Sequence, residues 1–118
     1  MPWSSIAVVG SRTIQDAQAV ERVLDKILEL NGPFVLVSGG ADGADGIAET
    51  WARKKGLDTI VHPADWDQHG PKAGMVRNSQ IINDADAVIA FWDGVSAGTL
   101  DSVRKAKTLK KRVVINLL

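Results

Sequence analysis

FVLVSGGADGADGIAETWA, residues Phe34–Ala52, carries the reading that decides the fold. Phe34 to Val37 is apolar without alternation, which is how a strand covered on both faces reads. Gly39, Gly40 and Gly43 then let the chain turn tightly, and Ala44, Ile47, Ala48, Trp51 and Ala52 recur at helical spacing up to a stop near Gly56. A buried strand, a glycine turn and an amphipathic helix together form the repeating unit of a parallel sheet.

The same unit recurs on either side. Apolar runs at Ile6 to Val9, Thr59 to Val61, Ala87 to Phe91 and Val113 to Leu117 predict four more strands. Val20, Val23, Leu24, Ile27 and Leu28 predict a helix closed by Asn31-Gly32-Pro33. Met75, Ile81, Ile82 and Ala85 predict another, and Leu100, Val103 and Ala106 a shorter one. Strand and helix alternate throughout, so the expected architecture is α/β: a three-layer α/β/α arrangement with a mainly parallel five-stranded sheet, order 3-2-1-4-5, formed by residues 1–118 as one domain. In such a sheet ligands bind at the C-terminal ends of the strands, where strand order reverses.

Composition narrows the function. The 118 residues carry 14 Lys+Arg against 14 Asp+Glu, so net charge gives no reason to expect a polyanionic partner or a membrane surface. At 45% apolar residues the chain is long enough to bury roughly two-thirds of its unfolded surface. Cysteine is absent, which removes disulfides, thiolate metal sites and cysteine nucleophiles. No apolar run reaches the ~18 residues of a membrane span, and the first residues lack a leader pattern, so a cytoplasmic location is expected. The basic run Arg104, Lys105, Lys107, Lys110, Lys111 and Arg112 has no interleaved aromatics and suits a solvated helix end. Nucleic acid is therefore not expected as a partner.

Four polar loops should converge at the ligand edge. Gly10-Ser11-Arg12 follows the first strand, the glycine loop the second, His62-Pro63-Ala64-Asp65-Trp66 the third and Trp92 to Thr99 the fourth. Asp42 and Asp45 stand at the first turn of a helix, where acids are also favoured simply by the helix dipole. They would repel a phosphate and suit the hydroxyls of a ribose. Gly94-Val95-Ser96-Ala97-Gly98-Thr99, with two small hydroxyls and two glycines at a helix start, is the better phosphate site. Arg12 and Arg77 could supply countercharge, Arg77 lying in Ala73-Gly74-Met75-Val76-Arg77-Asn78. Trp66 and Trp92 could stack on a base, or simply fill the rim. A divalent ion such as Mg held by Asp42, Asp45 or Asp65 is compatible with these carboxylates, but no spacing demands a metal, and no cofactor is required.

Taken together, Gly10-Ser11-Arg12, SGGADGAD, Ala64-Asp65-Trp66, AGMVRN (Ala73 to Asn78), ADAVIAFW (Ala85 to Trp92) and Ser96-Ala97-Gly98-Thr99 resemble the YspA-like, cpYpsA-related branch of the SLOG superfamily. The resemblance implies a Rossmann-like domain that binds or processes a nucleotide-derived ligand, and relatives of this kind suggest a homodimer. It extends more distantly to the LOG phosphoribohydrolases. Arg77 matches their arginine and Gly98-Thr99 the GT pair of PGGxGTxxE, while Ser102 stands where the glutamate would be and Asp101 is one position away. The Ser38 to Asp45 pattern is also similar to that of DprA, which binds single-stranded DNA.

The leading expectation is binding of a nucleotide or nucleotide-sugar, such as an ADP-ribose- or NAD-derived molecule, through Gly10, Ser11, Arg12, Gly39, Gly40, Asp42, Gly43, Asp45, Trp66, Arg77, Asn78, Trp92, Ser96, Gly98 and Thr99. The alternative is a hydrolase that cleaves the N-glycosidic bond of a nucleotide. Arg77 with Asp45, Asp65 or Glu49 would then serve in place of the missing glutamate. Single-stranded nucleic-acid binding through the basic run ranks third.

Overall fold

A computed structural model describes residues 2–118. Five strands form one parallel sheet in the order β3-β2-β1-β4-β5: β1 Ser5–Gly10, β2 Val35–Ser38, β3 Thr59–Val61, β4 Ala87–Trp92 and β5 Arg112–Leu117. The helices α1 Ala17–Asn31, α2 Ala44–Lys54, α4 Ala73–Asp84 and α5 Ala97–Thr108 supply the crossovers, and a short α3, Trp66–His69, precedes α4. This is the α/β Rossmann-like arrangement and strand order expected from the sequence. No helix among the described residues is long and apolar enough to cross a membrane.

Strand alternation divides the core in two. Ile6, Val8, Leu36, Ile89 and Phe91 face α1 and α2, while Ala7, Val9, Val37, Val88 and Ala90 face α4 and α5. Trp51 ties the first layer together, because its ring stacks on Phe34 with centroids 6.1 Å apart and its indole N–H donates to Asp25 at 2.8 Å. Continuous apolar runs mean full burial only for β1, β2 and β4. The edge strands differ: Ile60 and Val61 of β3 and Val114, Ile115 and Leu117 of β5 are exposed, since each edge has a neighbour on one side only.

Two further differences bear on the ligand edge. His62 to Trp66, read from the sequence as loop, runs directly into α3, which is followed by a 3₁₀ turn at Gly70–Lys72. Asp65 caps α3, accepting the Gln68 amide at 3.1 Å. The basic run is partly structural. The Lys111 ammonium donates to the carbonyls of Ile82, Asn83 and Ala85, closing the C-terminal end of α4, and Lys105 pairs with Asp101 and the Met75 carbonyl. Arg104, Lys107, Lys110 and Arg112 remain exposed.

Candidate functional site

β1 and β4 are neighbours, yet the chain leaves them toward opposite halves of the sheet. Their C-terminal loops therefore part and open a cleft of about 700 Å³. Gly10 to Thr13 form one wall, Asp93 and Ser96 to Thr99 the opposite one, and Asp45, Arg77 and Asn78 lie between them.

The glycine loop after β2 is braced by its own acids. Asp45 accepts the amides of Gly39 and Ala41 at 3.2 and 3.3 Å, and Glu49 accepts the Ser38 hydroxyl at 2.6 Å and the Gly40 amide at 3.2 Å. The glycines make this folding possible. Gly43 has φ +76°, and a Cβ there would collide with the Ser11 carbonyl. A Cβ on Gly39 would lie 2.7 Å from Arg77 Nη1 and 3.0 Å from Asp45 Oδ2. Arg77 uses that space to donate to the Gly39 carbonyl at 2.9 Å, so the guanidinium sits beside Asp45. Burial pushes the Asp45 carboxyl up to about 6, despite the opposing pull of the Ala41 amide and of Arg77. A carboxyl raised by burial thus lines the cleft next to a fixed cation.

The loop after β4 is equally built. Asp93 Oδ1 accepts the amides of Val95 and Ser96 at 2.9 and 2.8 Å, and Oδ2 accepts the Thr13 hydroxyl at 2.9 Å. The two amide bonds hold the Asp93 carboxyl down at about 2. Its own amide donates to Ser11 Oγ at 3.1 Å, joining the two cleft walls, and the Trp92 indole donates to the Ser96 carbonyl at 3.0 Å. Ser96 caps α5 by accepting the Thr99 amide and hydroxyl. Among the described residues, the amides of Ala97 and Gly98 are left without a partner at the positive end of a twelve-residue helix. Asn78 links this wall to Arg77: it accepts from Arg77 Nε at 3.2 Å and donates to Asp101 at 3.1 Å.

The family described as YspA, cpYpsA-related SLOG matches residues 4–69, more than half of the chain, including the first two strands with their loops. The Gene 61 protein of Mycobacterium phage D29 is 38% identical over 109 residues, an alignment spanning 86% of this chain and 87% of that protein. The chain belongs to the YspA, cpYpsA-related SLOG family. Among solved structures, DprA of Streptococcus pneumoniae matches this SLOG chain with a TM-score of 0.78 and 26% identity, over 96% of this chain and 50% of its own. DprA of Helicobacter pylori, whose structure concerns its single-stranded DNA binding mode, shares the fold at a TM-score of 0.66 and 19% identity, over 94% of this chain and 64% of its own. The SLOG chain is therefore shorter than either DprA and spans half of the first.

This likeness overturns one expectation from the sequence, that nucleic acid is not a partner. Zero net charge does not decide the matter, because it averages over the whole surface, whereas a strand is held by the local field of a groove. In the SLOG chain Arg12 and Arg77 line one cleft, and four of the six residues of the basic run stay exposed.

The cleft gathers Gly10, Ser11, Arg12, Asp45, Arg77, Asn78, Ser96, Gly98 and Thr99 from the residues singled out in the sequence. Gly39, Gly40 and Gly43 stand behind its wall and shape the loop. Asp42 is exposed in a separate shallow groove with Glu21 and Lys54, and Trp92 braces the α5 loop from outside the cleft. Asp65 and Trp66 line a neighbouring hollow that also includes Arg77. Ser102, where the LOG motif has its glutamate, is buried, and Asp101 is engaged by Asn78 and Lys105. The residues missed from the sequence are Thr13 and Asp93. Asp93-Gly94 followed by Ser96 is a legible Asx-turn signal, so Asp93 could have been found.

Proposed function

We propose that this SLOG protein binds a nucleotide or nucleotide-sugar in the cleft between the β1 and β4 loops. Its phosphate rests on the Ala97 and Gly98 amides with Arg77 and Arg12 as countercharge, and its ribose lies toward Asp45. The observation that carries this reading is that Ala97 and Gly98, in the first turn of α5, line the same cleft as Arg77 and Arg12. Family membership and the DprA likeness fit a nucleotide- or nucleic-acid-binding role. The volume of about 700 Å³ lies within the roughly 300–1,000 Å³ of small-molecule sites. ADP-ribose and NAD-derived molecules present both chemistries the cleft offers, an anion and vicinal hydroxyls.

Thermal unfolding with AMP, ADP-ribose, NAD, adenosine and adenine tests the reading. A ligand at ~100 times its Kd contributes about 2.7 kcal/mol of stability. Phosphorylated ligands should raise the melting temperature, and free adenine should not. No rise with any nucleotide at millimolar concentration refutes the proposal, and release of free adenine from AMP would move the protein to the N-glycosidase reading. A second reading, that the cleft grips a phosphate of a single strand, is favoured by the DprA likeness. Salt-sensitive binding of a labelled oligonucleotide, competed by AMP, supports it.

A further inference from the structure

Arg77 lines two hollows. One is the cleft described above. The other, about 550 Å³, lies between α4 and the turn that joins β3 to α3, bounded by His62, Trp66, His69, Val76 and Gln80. Only the first turn of α4 separates them, since Gly74 belongs to the main cleft and a Cβ on it would come within 3.8 Å of the Trp66 ring. Trp66 is 54% exposed, although an indole has a large apolar surface to hide. Its carrier is held at both ends. Asp65 caps α3 one residue before it, and the His62 ring is hydrogen-bonded to Asp84 at the far end of α4. An aromatic ring on a fixed turn, beside an arginine shared with a phosphate cleft, has the parts of a stacking platform for a base.

We infer that the Trp66 hollow is a second base subsite, so that the protein takes ligands in which two base-bearing units are joined through phosphate, with Arg77 at the linkage. This rests on the proposed nucleotide cleft and extends it. Gln80 and His69 offer hydrogen-bonding groups to the edge of the second base. Two sources supply such a ligand: a pyrophosphate-linked dinucleotide, or consecutive nucleotides of a single strand. Both present a second π-face, and they differ in the linkage that Arg77 meets.

Calorimetry on the full chain separates these cases. NAD and ADP-ribose share the adenylate and both ribose units and differ in the second base; the dinucleotide pApA represents the strand, with AMP as reference. In the native protein NAD or pApA should bind more tightly than its one-base counterpart. Trp66→Ala should remove that gain, a loss of about 5- to 150-fold, while leaving AMP and ADP-ribose unchanged. Trp66→Phe should restore most of it. Gain with NAD alone assigns the pyrophosphate-linked source, and gain with pApA alone assigns the strand. If AMP binds and neither two-base ligand shows a gain that depends on Trp66, the second subsite is refuted and the cleft stands. If AMP does not bind at all, the cleft reading fails with it.

Discussion

Asp45→Asn should stabilise the protein at neutral pH and leave its stability nearly unchanged in mild acid. Asp45 is 6% exposed and its carboxyl is raised from an ordinary value of 3.8 to about 6, chiefly by burial. Because the folded-state value lies above the unfolded one, the folded chain holds an extra proton between about pH 4 and pH 6. Stability from this group is fully present below that window and falls as pH rises through it. The gap of about two pH units, at about 1.36 kcal/mol each, corresponds to a penalty of about 3 kcal/mol above pH 6. Asparagine can still accept the Gly39 and Ala41 amides through its carbonyl oxygen, so the loop keeps its brace without carrying the buried charge. Urea unfolding of the native chain and of the Asp45→Asn variant at pH 4 and pH 7 reads the effect as a difference. The variant should gain about 3 kcal/mol at pH 7 and about zero at pH 4. Equal stability of the two proteins at both pH values refutes the reasoning, because it would mean that burial costs the carboxylate nothing. The same variant should bind AMP and adenosine more weakly if Asp45 holds the ribose. That combination, a more stable protein with a poorer site, is what a charge kept for binding produces.

Arg77→Ala should weaken AMP by roughly 10- to 150-fold, the range of a lost charge-assisted hydrogen bond, and leave adenosine nearly unchanged in calorimetry; equal losses for both would mean that Arg77 acts only by bracing Gly39. Lys111→Met removes the donor to three carbonyls at the end of α4 while keeping an apolar stem. It should cost about 1–3 kcal/mol in urea unfolding without changing AMP affinity. An unchanged midpoint would show that water satisfies those carbonyls equally well.

The strands, the helices and their alternation were legible in the sequence because they depend on backbone periodicity, whereas the strand order expected from crossover topology is a property of the assembled sheet. Apolar runs in Ile6 to Val9 and Ala87 to Phe91 require cover on both faces, and the intervening helical repeats supply it. The glycines of SGGADGADG and the small residues of Ser96 to Thr99 likewise announce turns at helix starts. The same sequence could not tell Asp42 from Asp45. Both follow a glycine-rich turn, yet one is exposed in a separate groove and the other is buried at the main cleft. The difference is made by partners remote in the chain: Arg77 reaches the Gly39 carbonyl across 38 positions, and Ser11 receives the Asp93 amide across 82. Local sequence sets where the chain turns, through the conformations its residues allow. That Asp45 is the carboxylate that loses its water, and is raised by that burial, is decided only when distant strands bring their loops together and the solvent between them is expelled.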